Sequence, residues 1–262
     1  MPIEEQQPAV SAETDGTAPE PSTWTYRDVG AVAAFALLAQ LFVYGAGLVA
    51  MLLLVEARGG RLPAIENLMT HAGFLLPVQA AWWGLVFWLV YRVVRARDPR
   101  PFRQAIGLVK PPWPPAAYIA GGILLALSVG ALATLLPMPK QRSPMERLFL
   151  DATSALLIAG FGVLIAPLVE ELLFRGFFFP VVARRHGSAA AVAATAGLFA
   201  VLHGPQYGWA WQNFLLLVYV GVVLGTVRAR TGSVVPSTLI HAAYNLTLFA
   251  GFYVSTNRFR DF

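Results

Sequence analysis

The chain has 262 residues, 57% of them hydrophobic and only 13% charged, against about 25% charged in a soluble domain; this deficit and the long uncharged runs place it in a membrane. The net charge of +5 does not point to nucleic acid, because most basic residues lie in short connections between apolar runs, where they set orientation. No cysteine is present, which excludes disulfides, thiolate metal sites and a cysteine nucleophile.

Residues 1–28 carry Glu4, Glu5, Glu13, Asp15, Glu20 and Asp28 against Arg27, with Pro8, Pro19 and Pro21. This predicts a disordered acidic tail. A cleavable signal peptide would need a basic stretch followed by an apolar core, so the first span is expected to be a retained anchor. That span is Val29–Val55, free of charge and longer than the ~30 Å of hydrocarbon it must cross. A loop with Arg58, Gly59, Gly60, Arg61 and Pro63 follows, then a second span from about Leu68 to Tyr91 that contains Pro77. The connection 92–115 is the most basic and ends in Lys-Pro-Pro-Trp-Pro-Pro, which cannot be helical; Phe102–Val109 within it can lie along the membrane surface. A third span is expected at Ala116–Leu136 and a fourth at Ala152–Ala183. A turn at Arg184-Arg185-His186-Gly187 leads to spans near Ser188–His203, Gln212–Val227 and Val234–Val254.

These elements predict an all-α fold, a polytopic membrane helix bundle of about seven transmembrane helices. The expected organisation is a tail (1–28), three N-terminal helices with a basic loop (29–150), a C-terminal core (151–255) and a short end (256–262). Connections on the side of the N-terminus hold eleven basic residues and the opposite side seven, so the N-terminus is expected to be cytoplasmic and the protein a multi-pass component of the cell (plasma) membrane. No internal repeat suggests a transporter built of duplicated halves.

Charge inside hydrocarbon costs roughly 2.5–3.5 kcal/mol per residue on insertion scales, so the polar groups within spans identify the site. They are Glu170, Glu171 and Arg175 in the fourth span, His203 in the fifth, His241 and Asn245 in the seventh, and His71 near the end of the second. Glu171 and Arg175 are four apart and can pair on one helix face. Glu170 is turned about 100° away and has no basic neighbour at helical spacing. If the turn centres on His186-Gly187, Glu170 lies as far before it as His203 lies after it, and antiparallel helices bring both to one depth. His241 and Asn245 are also four apart and share a face. The plainer alternatives are a buried ion pair beside a helix-end carboxylate, and interhelical hydrogen bonds from His241 and Asn245.

A carboxylate and a histidine together can act as general base on water, and a histidine with an asparagine can stabilise an oxyanion. That set suffices to hydrolyse an amide. Zinc held by two histidines and a carboxylate is the alternative, although no His-Glu-x-x-His is present. Ser188 and Ser237 have no evident base and no Gly-x-Ser-x-Gly surrounds them, so a serine hydrolase is a weaker option.

Glu170-Glu171-Leu-Leu-Phe-Arg175-Gly176, Phe199-Ala-Val-Leu-His203 and His241-Ala-Ala-Tyr-Asn245, in this order, resemble the three motifs of the CPBP family. These are the CAAX-protease and bacteriocin-processing (Abi) intramembrane endopeptidases, related to the Rce1-type CAAX prenyl proteases. The resemblance implies an intramembrane glutamic-type endopeptidase, CAAX prenyl protease 2-like, cutting near the C-terminus of membrane-associated proteins, lipidated ones among them, or small peptides. It implies Glu170 and His203 as activators of water, His241 and Asn245 as the oxyanion site, Glu171 and Arg175 as supporting residues, and no cofactor. The implied partners are the lipid bilayer and a membrane-associated protein or peptide substrate, with no nucleic acid. Some relatives serve as membrane scaffolds or regulators, so a non-catalytic partner protein is the competing reading.

Overall fold

The computed structural model describes residues 23–59, 72–140, 143–145, 148–149 and 151–257. The expected acidic tail up to residue 22 lies outside the described residues, as do His71, the expected start of the second span at Leu68, and Arg61, Pro63, Arg142, Arg147, Arg258 and Arg260. All regular structure among the described residues is helical.

In chain order the helices are α1 (Tyr26–Ala57), α2 (Ala72–Arg97), the single turn α3 (Phe102–Ala105), α4 (Pro115–Thr134), α5 (Ala152–Leu164) and α6 (Ala166–Glu171). A π-helix (Leu172–Phe178) leads into α7 (Phe179–His203), a 3₁₀ turn (Gly204–Tyr207), α8 (Trp211–Thr231) and α9 (Val235–Ser255). Among the described residues five helical stretches are long and apolar enough to cross a membrane: α1, α2, α4, the 56 residues from Ala152 to Tyr207, and α8. The 56-residue stretch counts twice, because Gly187 breaks it at φ 83°, ψ 166°, a conformation that costs glycine little. The two arms fold back antiparallel at the expected turn. α9 is not among the five and carries His241 and Asn245, the polar pair that lowers its apolar character. About seven spans is consistent with this arrangement.

α1 starts at Tyr26, three residues earlier than expected. The Asp28 carboxylate accepts from the Thr25 amide (2.8 Å) and hydroxyl (2.9 Å), a reciprocal cap on the first turn. Beyond that turn α1 presents Leu37, Leu41 and Phe42 outward, as a helix facing lipid must. Its partner is α2, reached by Trp82 Nε1 donating to the Ala36 carbonyl at 2.7 Å.

α4 packs mainly on α9, and α7 on α8. Both contacts depend on small residues, which let membrane helices approach closely. A Cβ at Gly122 would lie 2.4 Å from the Ile240 carbonyl oxygen, and one at Gly221 would lie 2.7 Å from Ala196 Cα. Between these pairs lies a core of Leu125, Phe174, Phe199, Leu224, Ile240 and Tyr244. Past the end of α2, Asp98 is buried and takes a two-pronged grip from Arg100, Nε at 2.9 Å and Nη2 at 2.7 Å. The Arg100 hydrogen bonds hold the Asp98 carboxyl below the usual carboxylate range.

The fourth span is not the continuous α-helix expected. Pro167 sits in the first turn of α6, where its missing N–H is harmless, but its ring breaks the helix from α5. The change to π geometry follows immediately after Glu171.

Candidate active site

Glu170 and Glu171 close α6, immediately before the π-helix. Glu171 and Arg175 are both fully buried and pair at 2.8 Å, Nη1 to Oε1. The expected pair therefore forms, and it has two further ties. Arg175 Nη2 donates to the Gly221 carbonyl of α8 at 3.0 Å. His241 Nδ1 of α9 lies 3.1 Å from the same Glu171 Oε1. Among the described residues Glu171 Oε2 has no hydrogen-bond partner; the Ser237 hydroxyl donates to the Val234 carbonyl at 3.0 Å. Glu171 thus joins Arg175 to an imidazole on another helix, a role that helical spacing alone did not reveal.

Glu170 turns the other way, about a sixth exposed. Its Oε2 lies 3.8 Å from His203 Nε2 and 3.8 Å from His241 Nε2. The two adjacent glutamates therefore address opposite nitrogens of His241, while Glu170 also faces His203. The depth matching holds despite the broken helix: along one straight helix, 33 residues would separate Glu170 and His203 by about 50 Å.

The second nitrogen of each histidine has a defined partner. His203 Nδ1 lies 2.8 Å from the Phe199 carbonyl, which can only accept, so Nδ1 carries the proton and Nε2 offers a lone pair when the ring is neutral. His241 Nδ1 meets a carboxylate and carries a proton likewise. Phe199 packs on both rings, with centroids at 4.1 Å to His203 and 5.7 Å to His241. These contacts fix both planes.

Asn245 lies one turn beyond His241 and is bound elsewhere. Its Nδ2 donates to the Gly162 carbonyl of α5 at 2.7 Å, which leaves the second amide N–H of the side chain. The structure thus brings Glu170, His203 and His241 together, with Asn245 on the same face of α9 and tied to α5. Among the described residues no three His, Cys, Asp or Glu side chains are spaced to hold a metal ion.

Three residues outside the sequence motifs secure the site. The π-helix leaves backbone carbonyls needing donors. Arg228 Nε donates to the Arg175 carbonyl at 3.0 Å, and Trp24 Nε1 donates to the Phe177 carbonyl at 2.8 Å. Trp24 is fully buried and stacks on Phe177 at 5.7 Å. Gly221 and Arg228 are seven apart, two turns along one face of α8, and that spacing was the available signal. Trp24 had none, since its partner is 153 residues away.

Next to His203, Gly204 and Trp209 help line an aromatic cavity of about 160 Å³ with Tyr207, Trp211 and Phe214. Trp209 adopts φ 58°, strained for a bulky residue, and its ring covers Gly204 so closely that a Cβ there would come within 2.4 Å. A larger cavity of about 300 Å³ lies at the opposite end of α7, lined by arginines, and is remote from Glu170.

No curated protein and no solved structure matches the chain. The family model described as type II CAAX prenyl endopeptidase Rce1-like matches residues 152–247, a stretch holding Glu170, Glu171, Arg175, His203, His241 and Asn245. Over these residues, from α5 into α9, the chain is similar to the Rce1-like type II CAAX prenyl endopeptidases, and its long apolar helices make it a multi-pass membrane protein.

Proposed function

We propose that the protein is a glutamate-dependent intramembrane endopeptidase, and the observation that carries the reading is Glu170 Oε2 facing both His203 Nε2 and His241 Nε2 at 3.8 Å. That separation is too long for a hydrogen bond and suits one water bridging Glu170 and His203. The water donates one proton toward Glu170 and the other toward the His203 lone pair. Its oxygen attacks the scissile carbonyl carbon as Glu170 takes the proton. The resulting oxyanion accepts hydrogen bonds from His241 Nε2–H and the second Asn245 N–H. Collapse breaks the C–N bond, and Glu170 passes its proton to the leaving amine. Oxyanion stabilisation requires His241 to be protonated on both nitrogens, and Glu170 and Glu171 flank that cation on both sides. Arg175 holds Glu171 and so positions His241.

The substrate is a membrane-associated protein or small peptide cut near its C-terminus, and the aromatic cavity beside His203 suits an apolar side chain of that substrate. Residues 151–255 form the catalytic core and 29–150 its frame, with the N-terminus cytoplasmic in the cell membrane. The test uses the full chain in detergent on a panel of labelled C-terminal peptides, beside Glu170→Ala and His203→Ala. Each variant should lose ~10²–10⁴-fold in rate; equal activity in all three defeats the reading and favours a scaffold. Chelator-treated protein with full activity and no bound metal separates this mechanism from a zinc-dependent one.

A further inference from the structure

The cavity at the far end of α7 has no part in that chemistry. Its volume is about 300 Å³, and its lining includes Arg100, Gln104, Gly107, Arg184, Ser188 and Arg228. Arg100 is paired with Asp98 at 2.7 Å. Neither Arg184 nor Arg228 meets a carboxylate among the described residues. Arg184 Nη2 donates to the Trp24 carbonyl (2.8 Å) and Arg228 Nε to the Arg175 carbonyl (3.0 Å), whereas each guanidinium has five N–H donors. Two guanidinium groups with no carboxylate partner among the described residues therefore share one concavity, Arg228 lying over the Phe179 ring at 5.7 Å. Its shape depends on Gly107, at φ 80°: a Cβ there would lie 2.9 Å from Arg228 Nη2, so the bare Cα lets the guanidinium come close to the turn after α3.

Its position along the bundle suggests the ligand. The cavity sits where α2 ends, α4 begins, the Gly187 turn occurs and α8 ends. Trp113, Tyr26 and Tyr91 are exposed at this same end, as aromatics at the headgroup level are. Glu170 and Arg184 are separated by fourteen residues, about 20 Å along helix, too far for a bound anion to touch the reacting atoms.

We propose that this cavity binds the phosphate of an anionic phospholipid headgroup, and that its occupant steadies the site through Arg228. Basic pockets between helices at a membrane face hold such headgroups. Arg228 carries the connection, because the backbone it grips belongs to Arg175, whose side chain holds Glu171.

The experiment uses delipidated full chain in neutral detergent, offered equal phosphatidylglycerol and phosphatidylcholine and read by native mass spectrometry. Wild type should retain phosphatidylglycerol preferentially. Arg184→Gln should lower that retention about fivefold, and Ser188→Glu, at an exposed position right after the turn, should abolish it. Arg185→Gln, one residue away and outside the cavity, should leave it unchanged. Equal retention of both lipids, or equal loss in the Arg185 and Arg184 variants, overturns the proposal. Inorganic phosphate forms a second arm: stabilisation by phosphate, lost in Ser188→Glu, with no lipid preference in wild type, overturns the lipid as source.

Discussion

Glu170 and Glu171 are neighbours of identical chemistry, and one substitution applied to each should cost stability at one and leave it intact at the other. Glu171 is fully buried, with Arg175 at 2.8 Å and His241 at 3.1 Å on one oxygen. Glutamine there keeps the shape and removes the charge. Arg175 is then a buried cation without its charge partner, left with the Gly221 carbonyl and the Phe174 and Phe199 rings, and breaking a buried pair from one side costs about 3–5 kcal/mol. Glu171→Gln should therefore fall in thermal stability and, because His241 loses its anchor, in activity as well. Glu170 is partly exposed, and its two nearest basic groups lie beyond hydrogen-bond distance at 3.8 Å. Glu170→Gln should unfold within about 0.5 kcal/mol of wild type yet lose ~10²–10⁴-fold in peptide cleavage. The assay is paired: thermal unfolding of the detergent-solubilised chain and cleavage of the best peptide found in the panel. A Glu171→Gln protein as stable as wild type would refute the buried-pair accounting. A Glu170→Gln protein that cleaves normally would refute its assignment as the base.

Gly122→Ala should push α4 off α9, since the added methyl meets the Ile240 carbonyl oxygen at 2.4 Å and Ala243 Cβ at 2.6 Å; overpacking of this kind costs about 1–3 kcal/mol, and unfolding together with cleavage rate checks it. Trp24→Phe keeps an aromatic ring on Phe177 but strands the carbonyl that Trp24 Nε1 holds at 2.8 Å, a loss of about 1–3 kcal/mol readable by the same melt. Asp98 has its carboxyl held down by Arg100, so the stability it contributes is present above the unfolded value of 3.8 and lost as pH falls through the lower folded one. Acid melts of wild type and Asp98→Asn should therefore converge below about pH 4 and separate above it, with wild type the more stable.

The spans and the depth of the site were legible because both follow from one-dimensional quantities. Apolar run length sets a crossing, and equal distances from the Gly187 turn set Glu170 against His203. What stayed hidden depends on rotation and on distant partners. The face-sharing rule paired Glu171 with Arg175 and stopped there, whereas the chain also aims Glu171 at His241, 70 residues on. Asn245 was expected beside His241 and is, but its bond to Gly162 belongs to a helix that carries no polar signal. Arg228 looked like one more orienting charge at a loop. Its bond to the Arg175 backbone exists because the helix there has changed its winding, and nothing in a pattern of apolar residues announces that change.

That winding makes the length of the motif as important as its letters. A π turn accommodates roughly one residue more than an α turn over the same rise. Deleting a single residue between Leu172 and Phe178 would let the segment relax to ordinary winding. The segments on either side would keep their faces, but the Arg175 and Phe177 carbonyls that the π winding leaves open to Arg228 and Trp24 would return to the helix, untying the motif from α8 and from the N-terminal segment. A frame of this kind is set by the number of residues as well as by their identity, and a chain carrying all six polar residues with one residue fewer between them would be expected to fold with its site less firmly held.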